Sequence, residues 1–213
     1  MADSVSPEDR DEMAIPSYLH SNPAMRWIAW RRLEIVAKLL RESSGEVRDE
    51  SGRTVLDFGC GTGVLFDEAS QFADKVYGVD IVLEPAQLLI EKWGLKKVSL
   101  MDPETAKNEL PIRSVDTIIA AEVLEHIDPV DDTLAFFRDR LKSTGRLLVS
   151  LPTENALYRF GRRLAGFHGH YHESNARTIH QQILDAGFQQ QSMQKIPAPG
   201  PLAIYWVIAY QLR

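Results

Sequence analysis

Val55-Leu56-Asp57-Phe58-Gly59-Cys60-Gly61-Thr62-Gly63 is the stretch that decides the fold of this 213-residue chain. The run from Thr54 to Phe58 is apolar and strand-like, and the pattern from Val64 to Phe72 is helical. Between a strand and a helix, glycines let the backbone turn sharply and let a ligand approach where a Cβ would stand. Their N–H groups and the helix N-terminus then face that ligand. The third glycine follows the first by four positions. The G-x-G-x-x-G fingerprint of dinucleotide sites places it one position later. No Lys-Ser or Lys-Thr pair follows, so this is not a Walker phosphate loop. No basic residue lies in the loop, so a pyrophosphate would gain little charge compensation. Asp80 ends the next strand candidate about 20 residues on, where a carboxylate can accept both hydroxyls of a ribose. A tight turn with a helix-capping Asp is the plainer alternative.

Outward from the loop, short apolar runs alternate with helical patterns. Lys75–Val79, Val98–Met101, Val115–Ala121 and Arg146–Leu151 read as strands. Pro85–Trp93, Val130–Leu141 and Ala176–Ala186 read as helices, with Gly94 and Gly187 as stops. Phe188–Ile196 and Leu202–Leu212 read as two further strands, joined by a stiff turn containing Pro197, Pro199, Gly200 and Pro201. This alternation predicts an α/β, Rossmann-like, doubly wound sheet of seven strands, mostly parallel. No helix separates the last two strands, so the final strand is predicted to be antiparallel.

The chain length suits one domain with its own core. Residues 1–20 are expected to form a disordered acidic tail, and residues 21–213 the domain, with a substrate-side insertion at 152–177. Asn22 and Pro23 suit the start of a helix running to about Glu42, with Ala29, Leu33, Val36 and Leu40 as its apolar stripe. Ser43 to Gly52 reads as a polar loop. Trp27 and Trp30, with Arg26, Arg31, Arg32, Lys38 and Arg41, give residues 23–42 a composition compatible with peripheral membrane contact. A helix lying over the sheet is the alternative.

Net charge is −6, which argues against a general nucleic-acid binder. Residues 1–12 hold five acids and one base, so the remaining chain, with 25 acids and 23 bases, carries only −2. An anionic substrate is therefore compatible with the folded part. A single cysteine, Cys60, excludes an internal disulfide framework and a Cys-rich zinc site, and fits a reducing, cytoplasmic setting. The longest apolar run, Leu202 to Tyr210, is too short for a membrane-spanning helix. The acidic start does not read as a secretory signal.

The segments VLDFGCGTG at 55–63, YGVD at 77–80, LPIRSVDTIIAAEVLEHI at 110–127 and LKSTGRLLVSLPTEN at 141–155 resemble class I S-adenosylmethionine-dependent methyltransferases, including quinone-pathway members. The resemblance implies S-adenosylmethionine as cofactor. It implies that Gly59, Cys60, Gly61 and Gly63 cradle the amino-acid end, with Asp57 orienting the loop. It implies that Asp80, with Ile81 beside it, holds the ribose side and that Asp102 bonds the adenine amino group. Glu122, after the fourth strand, is expected near the cofactor or the acceptor. The ligand's chemistry agrees: a sulfonium cation without phosphates suits a loop flanked by Asp57, Asp80 and Asp102.

Glu122 and His126 are the candidate catalytic residues, either of which could take the acceptor's proton. The expected reaction is in-line methyl transfer to an oxygen or nitrogen of a small molecule. A metal-assisted O-methylation of a vicinal diol is an alternative. It would draw Glu122, Glu125 and His126 together with one of His168, His170, His172 or His180, although no metal ligand is assigned. Alternatively Glu125 and His126 simply pin a helix start. A non-catalytic cofactor-binding subunit is the third reading. Acceptor choice is expected to lie in residues 152–177, where Tyr158, Phe160, Phe167 and Tyr171 mix with Arg159, Arg162, Arg163 and Arg177.

Overall fold

Thr54–Phe58 forms β1, and every residue after the first is buried, the pattern of a strand covered on both faces. The computed structural model describes residues 18–19, 21–43, 52–153 and 176–213. The tail expected at 1–20, the loop expected at 43–52 and the insertion expected at 152–177 lie outside these residues except at their edges. The chain divides into two compact units, Met1–Leu110 and Pro111–Arg213. The strand order is β3-β2-β1 in the first unit and β4-β5-β7-β6 in the second.

In the first unit, β1 is followed by α2 (Phe66–Phe72), β2 (Lys75–Val79), α3 (Glu84–Trp93), β3 (Val98–Met101) and α4 (Pro103–Glu109), and preceded by α1 (Pro23–Ser43). Strand β2 pairs in parallel with β1 and with β3. The helix expected from Val64 begins at Phe66 instead. Gly61 and Gly63 hold positive φ, and turn hydrogen bonds run from Gly63 N–H to Cys60 O and from Phe66 N–H to Gly63 O. A right-handed helix cannot start until those left-handed residues are passed. The helix α4 was not anticipated. Asp102 caps it and Pro103 occupies its first turn, but Ala106 is its one buried residue, so the sequence shows no apolar period there.

The start of α1 is as predicted, with Asn22 Oδ1 accepting from Ala24 N–H at 2.9 Å. Ala29, Leu33, Val36 and Leu40 are buried, whereas Arg31, Glu34, Lys38 and Arg41 face water. Arg32 departs from the expected basic face: it is buried, and its guanidinium donates to the Tyr18 hydroxyl at 2.7 Å. Of the outer cations, Arg31 pairs with Glu34, Lys38 with Glu42, and Arg41 with Glu68 of α2. Trp27 and Trp30 remain about half exposed. Among the described residues no helix is long and apolar enough to cross a membrane.

The second unit holds β4 (Val115–Ala121), a single 3-10 turn (Leu124–His126), α5 (Asp131–Arg140), β5 (Leu141–Pro152), α6 (Ala176–Asp185), β6 (Phe188–Ile196) and β7 (Tyr205–Leu212). Strand β5 pairs in parallel with β4, and β7 runs antiparallel to both β5 and β6. Strand β5 begins five residues before its predicted start, because its pairing with β4 jumps from Val115↔Leu141 to Thr117↔Arg146, an irregularity that takes in residues 142–145. Strand β7 starts later than Leu202, since Gly200–Leu202 closes a 3-10 turn. Ile118, Ile119, Phe137, Leu148 and Val207 are buried in this unit's core.

Lys97 ties β3's approach to the end of α2. Its ammonium donates to Ser70 O and Ala73 O, both at 2.8 Å, satisfying carbonyls that the helix end leaves open. Lys97→Met is expected to cost about 1 kcal/mol, the scale of exposed charge-assisted hydrogen bonds. A urea titration checks it: the midpoint falls and the slope stays unchanged.

Candidate functional site

The glycine loop is fixed to the end of β2 by its own amides. Gly59 and Cys60 both donate to Val79 O, at 2.8 and 3.1 Å. Gly61 N–H donates to Asp80 Oδ2 at 2.7 Å, while Asp80 Oδ1 accepts from Ile81 N–H at 2.8 Å and Val82 N–H at 3.3 Å. Asp80 therefore caps no helix; it joins the loop to the turn after β2. The loop amides of Gly59, Cys60, Gly61 and Gly63 go to Val79, Asp80 and Cys60 rather than to Asp57.

The glycines differ in what they make room for. A Cβ on Gly61 would meet nothing within 4 Å, so its open side is a cradle. A Cβ on Gly63 would stand 2.4 Å from the Phe66 ring. Both have positive φ, +53° and +76°, where glycine is favoured.

Asp57 is buried at the end of β1, one register step from the Val79 that holds the loop. Burial, with the charge of Asp80 as a second cause, pushes its carboxyl up to about 7. Burial and then the same two acids push the Cys60 thiol far above the ordinary range. Cys60 is thus a buried space-filler rather than a nucleophile. Two acids beside an open backbone cradle, with no basic loop residue, fit a cationic, phosphate-free ligand, and so fit S-adenosylmethionine.

Asp102 already has a structural task. Its Oδ1 accepts from Thr105 N–H at 2.9 Å and its Oδ2 from the Thr105 hydroxyl at 2.7 Å. The Thr105 hydroxyl and then its N–H hold this carboxyl below the usual range. The Asp102-Pro103-Glu104-Thr105 order was the available signal for that cap. Ile81 is 81% exposed beside Asp80, an apolar surface left uncovered next to the cradle. Phe66 and Val79 belong to the loop's support and were not singled out from the sequence.

In the second unit, Glu122 directly follows β4 with φ of 56°. Its N–H donates to Ser150 O at 3.0 Å, which continues the β4–β5 pairing by one bond past the strand. A non-glycine residue in this region costs roughly 1 kcal/mol or more, and such strain concentrates at functional positions. Leu124–His126 then forms the 3-10 turn, in which Glu125 is buried and His126 is exposed. Burial of Glu125 and exposure of His126 divide the segment between interior and solvent.

Of the later histidines, His168, His170 and His172 lie outside the described residues, as do the aromatic and arginine side chains at 158–171. His180 shares a 2.7 Å hydrogen bond with the buried Tyr210 hydroxyl. Burial, and then the charge of Lys195, lowers the His180 pKa. Among the described residues no three His, Cys, Asp or Glu side chains are grouped to hold a metal ion.

A glycine loop after the first strand, an acid after the second and an antiparallel final strand define an S-adenosylmethionine-binding α/β class. The chain matches a family model described as a methyltransferase domain over residues 27–192. It therefore belongs to the class I S-adenosylmethionine-dependent methyltransferases. A mitochondrial ubiquinone biosynthesis O-methyltransferase of Candida albicans is 35% identical over 111 residues, covering 49% of this chain and 34% of that protein. The chain spans about half or less of the length of the curated relatives it matches, between 34% and 51%. The Burkholderia thailandensis 1,6-didemethyltoxoflavin-N1-methyltransferase, solved with 1,6-didemethyltoxoflavin and S-adenosylhomocysteine, superposes with a TM-score of 0.65 at 18% identity, covering 98% of this chain and 91% of that one. The Synechocystis magnesium protoporphyrin IX methyltransferase, solved with SAH, gives 0.65 at 20% identity over 91% and 89%. At these identities the structural likeness is one of fold.

Asp57 yields a pH test. Its carboxyl is near 7 when folded and 3.8 as an ordinary Asp, so between these values the folded chain holds a proton that the unfolded chain has lost. Its contribution to stability thus falls as pH rises from about 4 to about 7 and is lowest above that. Asp57→Asn in the ligand-free protein is expected to raise the melting temperature at pH 8, with the gain shrinking towards pH 5. Thermal melts at the two pH values check it; equal gains at both would refute the assignment.

Proposed function

We propose that the chain transfers the methyl group of S-adenosylmethionine to an oxygen or nitrogen of a small organic acceptor. The observation that carries this reading is the glycine loop held to Asp80 through Gly61, with the open side of Gly61 as a cradle. Asp57 and Asp80 supply negative charge there, and the loop itself carries no basic residue to favour a phosphate. The bound cofactor supplies an electrophilic methyl group on a sulfonium. The loop backbone, held in place by its own amides, and Asp80 fix the orientation, so that the reaction gains chiefly from proximity and alignment. A cation in the cradle draws Asp57 towards its ionised form, so binding releases a proton near neutral pH.

Glu122 and His126 are our candidates for the groups that accept the acceptor's proton. The backbone strain at Glu122 and the exposure of His126 support these roles. In open α/β sheets the carboxyl ends of the strands face the ligand crevice, and both residues follow the carboxyl end of β4. Several relatives are named for small organic acceptors, in ubiquinone biosynthesis, 1,6-didemethyltoxoflavin methylation and magnesium protoporphyrin IX methylation, and two others for ribosomal protein L11. Aromatic and arginine residues at 158–177 suit a planar or anionic acceptor.

Isothermal titration with S-adenosylhomocysteine, followed by labelled-methyl transfer to a panel of phenols, carboxylates and heteroaromatic amines, tests this reading. Asp80→Ala is expected to weaken cofactor binding about 50-fold, the value of one lost charge-assisted hydrogen bond. Glu122→Gln or His126→Gln is expected to lower kcat about 100-fold while leaving that affinity in place. Absence of binding by the unaltered protein would end the proposal, and loss of turnover on adding EDTA would transfer it to the metal-assisted chemistry.

A further inference from the structure

Phe66 is the first residue of α2 and is wholly buried. Two glycines make room for its ring. A Cβ on Gly63 would lie 2.4 Å from Cδ2 and Cε2 of that ring. A Cβ on Gly78 would lie 2.4 Å from its Cζ and 2.7 Å from Leu100 Cδ2. Gly63 has a second reason to be glycine, its positive φ. Gly78 has none: it sits mid-strand in β2 with an unremarkable backbone, so the ring and Leu100 alone account for its missing side chain.

The two glycines flank the loop's anchorage. Gly63 ends the glycine loop, and Gly78 immediately precedes Val79 and Asp80, which accept the amides of Gly59, Cys60 and Gly61. The ring thus occupies the interval between the loop and the strand that holds it. It is also fixed from the chain side, through Phe66 N–H to Gly63 O at 2.9 Å. Buried phenylalanine has few alternative rotamers and close-packed neighbours, so it sets a distance rather than merely filling a volume.

We propose that Phe66 is a positioning residue for the cofactor loop: its ring, clasped between Gly63 and Gly78, sets the separation at which the loop amides meet Val79 and Asp80. The cofactor part of this rests on the methyltransferase reading above; the loop part does not. A shorter side chain would let the loop approach or tilt, loosening the three anchoring bonds and the cradle at Gly61. A misplacement of this kind acts on binding without any contact to the ligand.

The test compares Phe66→Leu with Phe137→Leu, the same change at a buried phenylalanine in the second unit. Both should lose thermal stability. Measured well below either melting point, Phe66→Leu is expected to weaken S-adenosylhomocysteine binding about tenfold, and Phe137→Leu to leave it unchanged. Hydrogen exchange of ligand-free protein should show faster exchange at Gly59–Gly63 in Phe66→Leu only. Adding Gly78→Ala to Phe66→Leu refills the space and should recover part of both losses, whereas Gly78→Ala alone should reproduce them. Equal behaviour of the two leucine variants in exchange overturns the proposal. If the unaltered protein binds no S-adenosylhomocysteine, the functional reading fails, and the exchange comparison still decides the role of Phe66 in the loop.

Discussion

The hydrogen bond from Gly61 N–H to the Asp80 carboxylate is the constraint on which the site depends. It joins a loop that has no regular structure to a strand end that does. The loop must hold Gly61 and Gly63 in left-handed conformations, which no side-chain contact at Gly61 enforces. The enforcement comes instead from three amides directed at adjacent acceptors, Val79 O and Asp80 Oδ2. Of the three, the bond to Asp80 is charge-assisted, roughly twice as strong as a neutral one, and its acceptor is itself steadied by Ile81 and Val82 N–H. The loop is therefore preorganised before any ligand arrives, which lowers the ordering cost of binding.

The same carboxylate creates the site's chief liability. Asp80 raises the proton affinity of Asp57, which burial has already raised, and both act on Cys60. A cluster of acids with no basic residue in the loop is unfavourable in the ligand-free chain near neutral pH. Such a cost is tolerated where a cation later offsets it. The arrangement suits a small, weakly polar residue between Gly59 and Gly61: a positive charge would neutralise the field that the cation meets, and a further negative charge would add to the cost of the ligand-free acid cluster. Cys60 does neither, because its thiol stays protonated.

Much of the fold could be read from the chain because most strands are rich in apolar residues and glycines follow two of the helices, at Gly94 and Gly187. Gly94 ends α3 in the left-handed conformation expected of a helix stop. Failures came where tertiary context overrode local pattern. Helix α4 buries only Ala106, so it gave no period to detect. Strand β5 starts early through an irregularity that only pairing with β4 reveals. Arg32 looks like surface charge, yet it is buried with Tyr18 as its partner, a contact fourteen residues away in sequence. Site residues divide in the same way. Asp80 and the loop glycines stand out by spacing, whereas Asp57 stands out only through the family resemblance. The cap at Asp102 needed its second reading through Thr105, and the positive φ of Glu122 has no sequence signature at all.

Glycine shows why legibility stops where it does. In the loop, Gly61 and Gly63 announce themselves by spacing, because backbone conformation demands them. Gly78 stands in YGVD as an ordinary interruption of a strand, and a strand glycine usually marks weakness. Its meaning lies in a ring twelve residues earlier, where Phe66 takes the volume that a side chain at 78 would need. Sequence patterns report demands that the backbone makes on one residue. Demands that two side chains make on each other appear only once the chain is folded, and at this site those demands govern how far the loop stands from the acid that holds it.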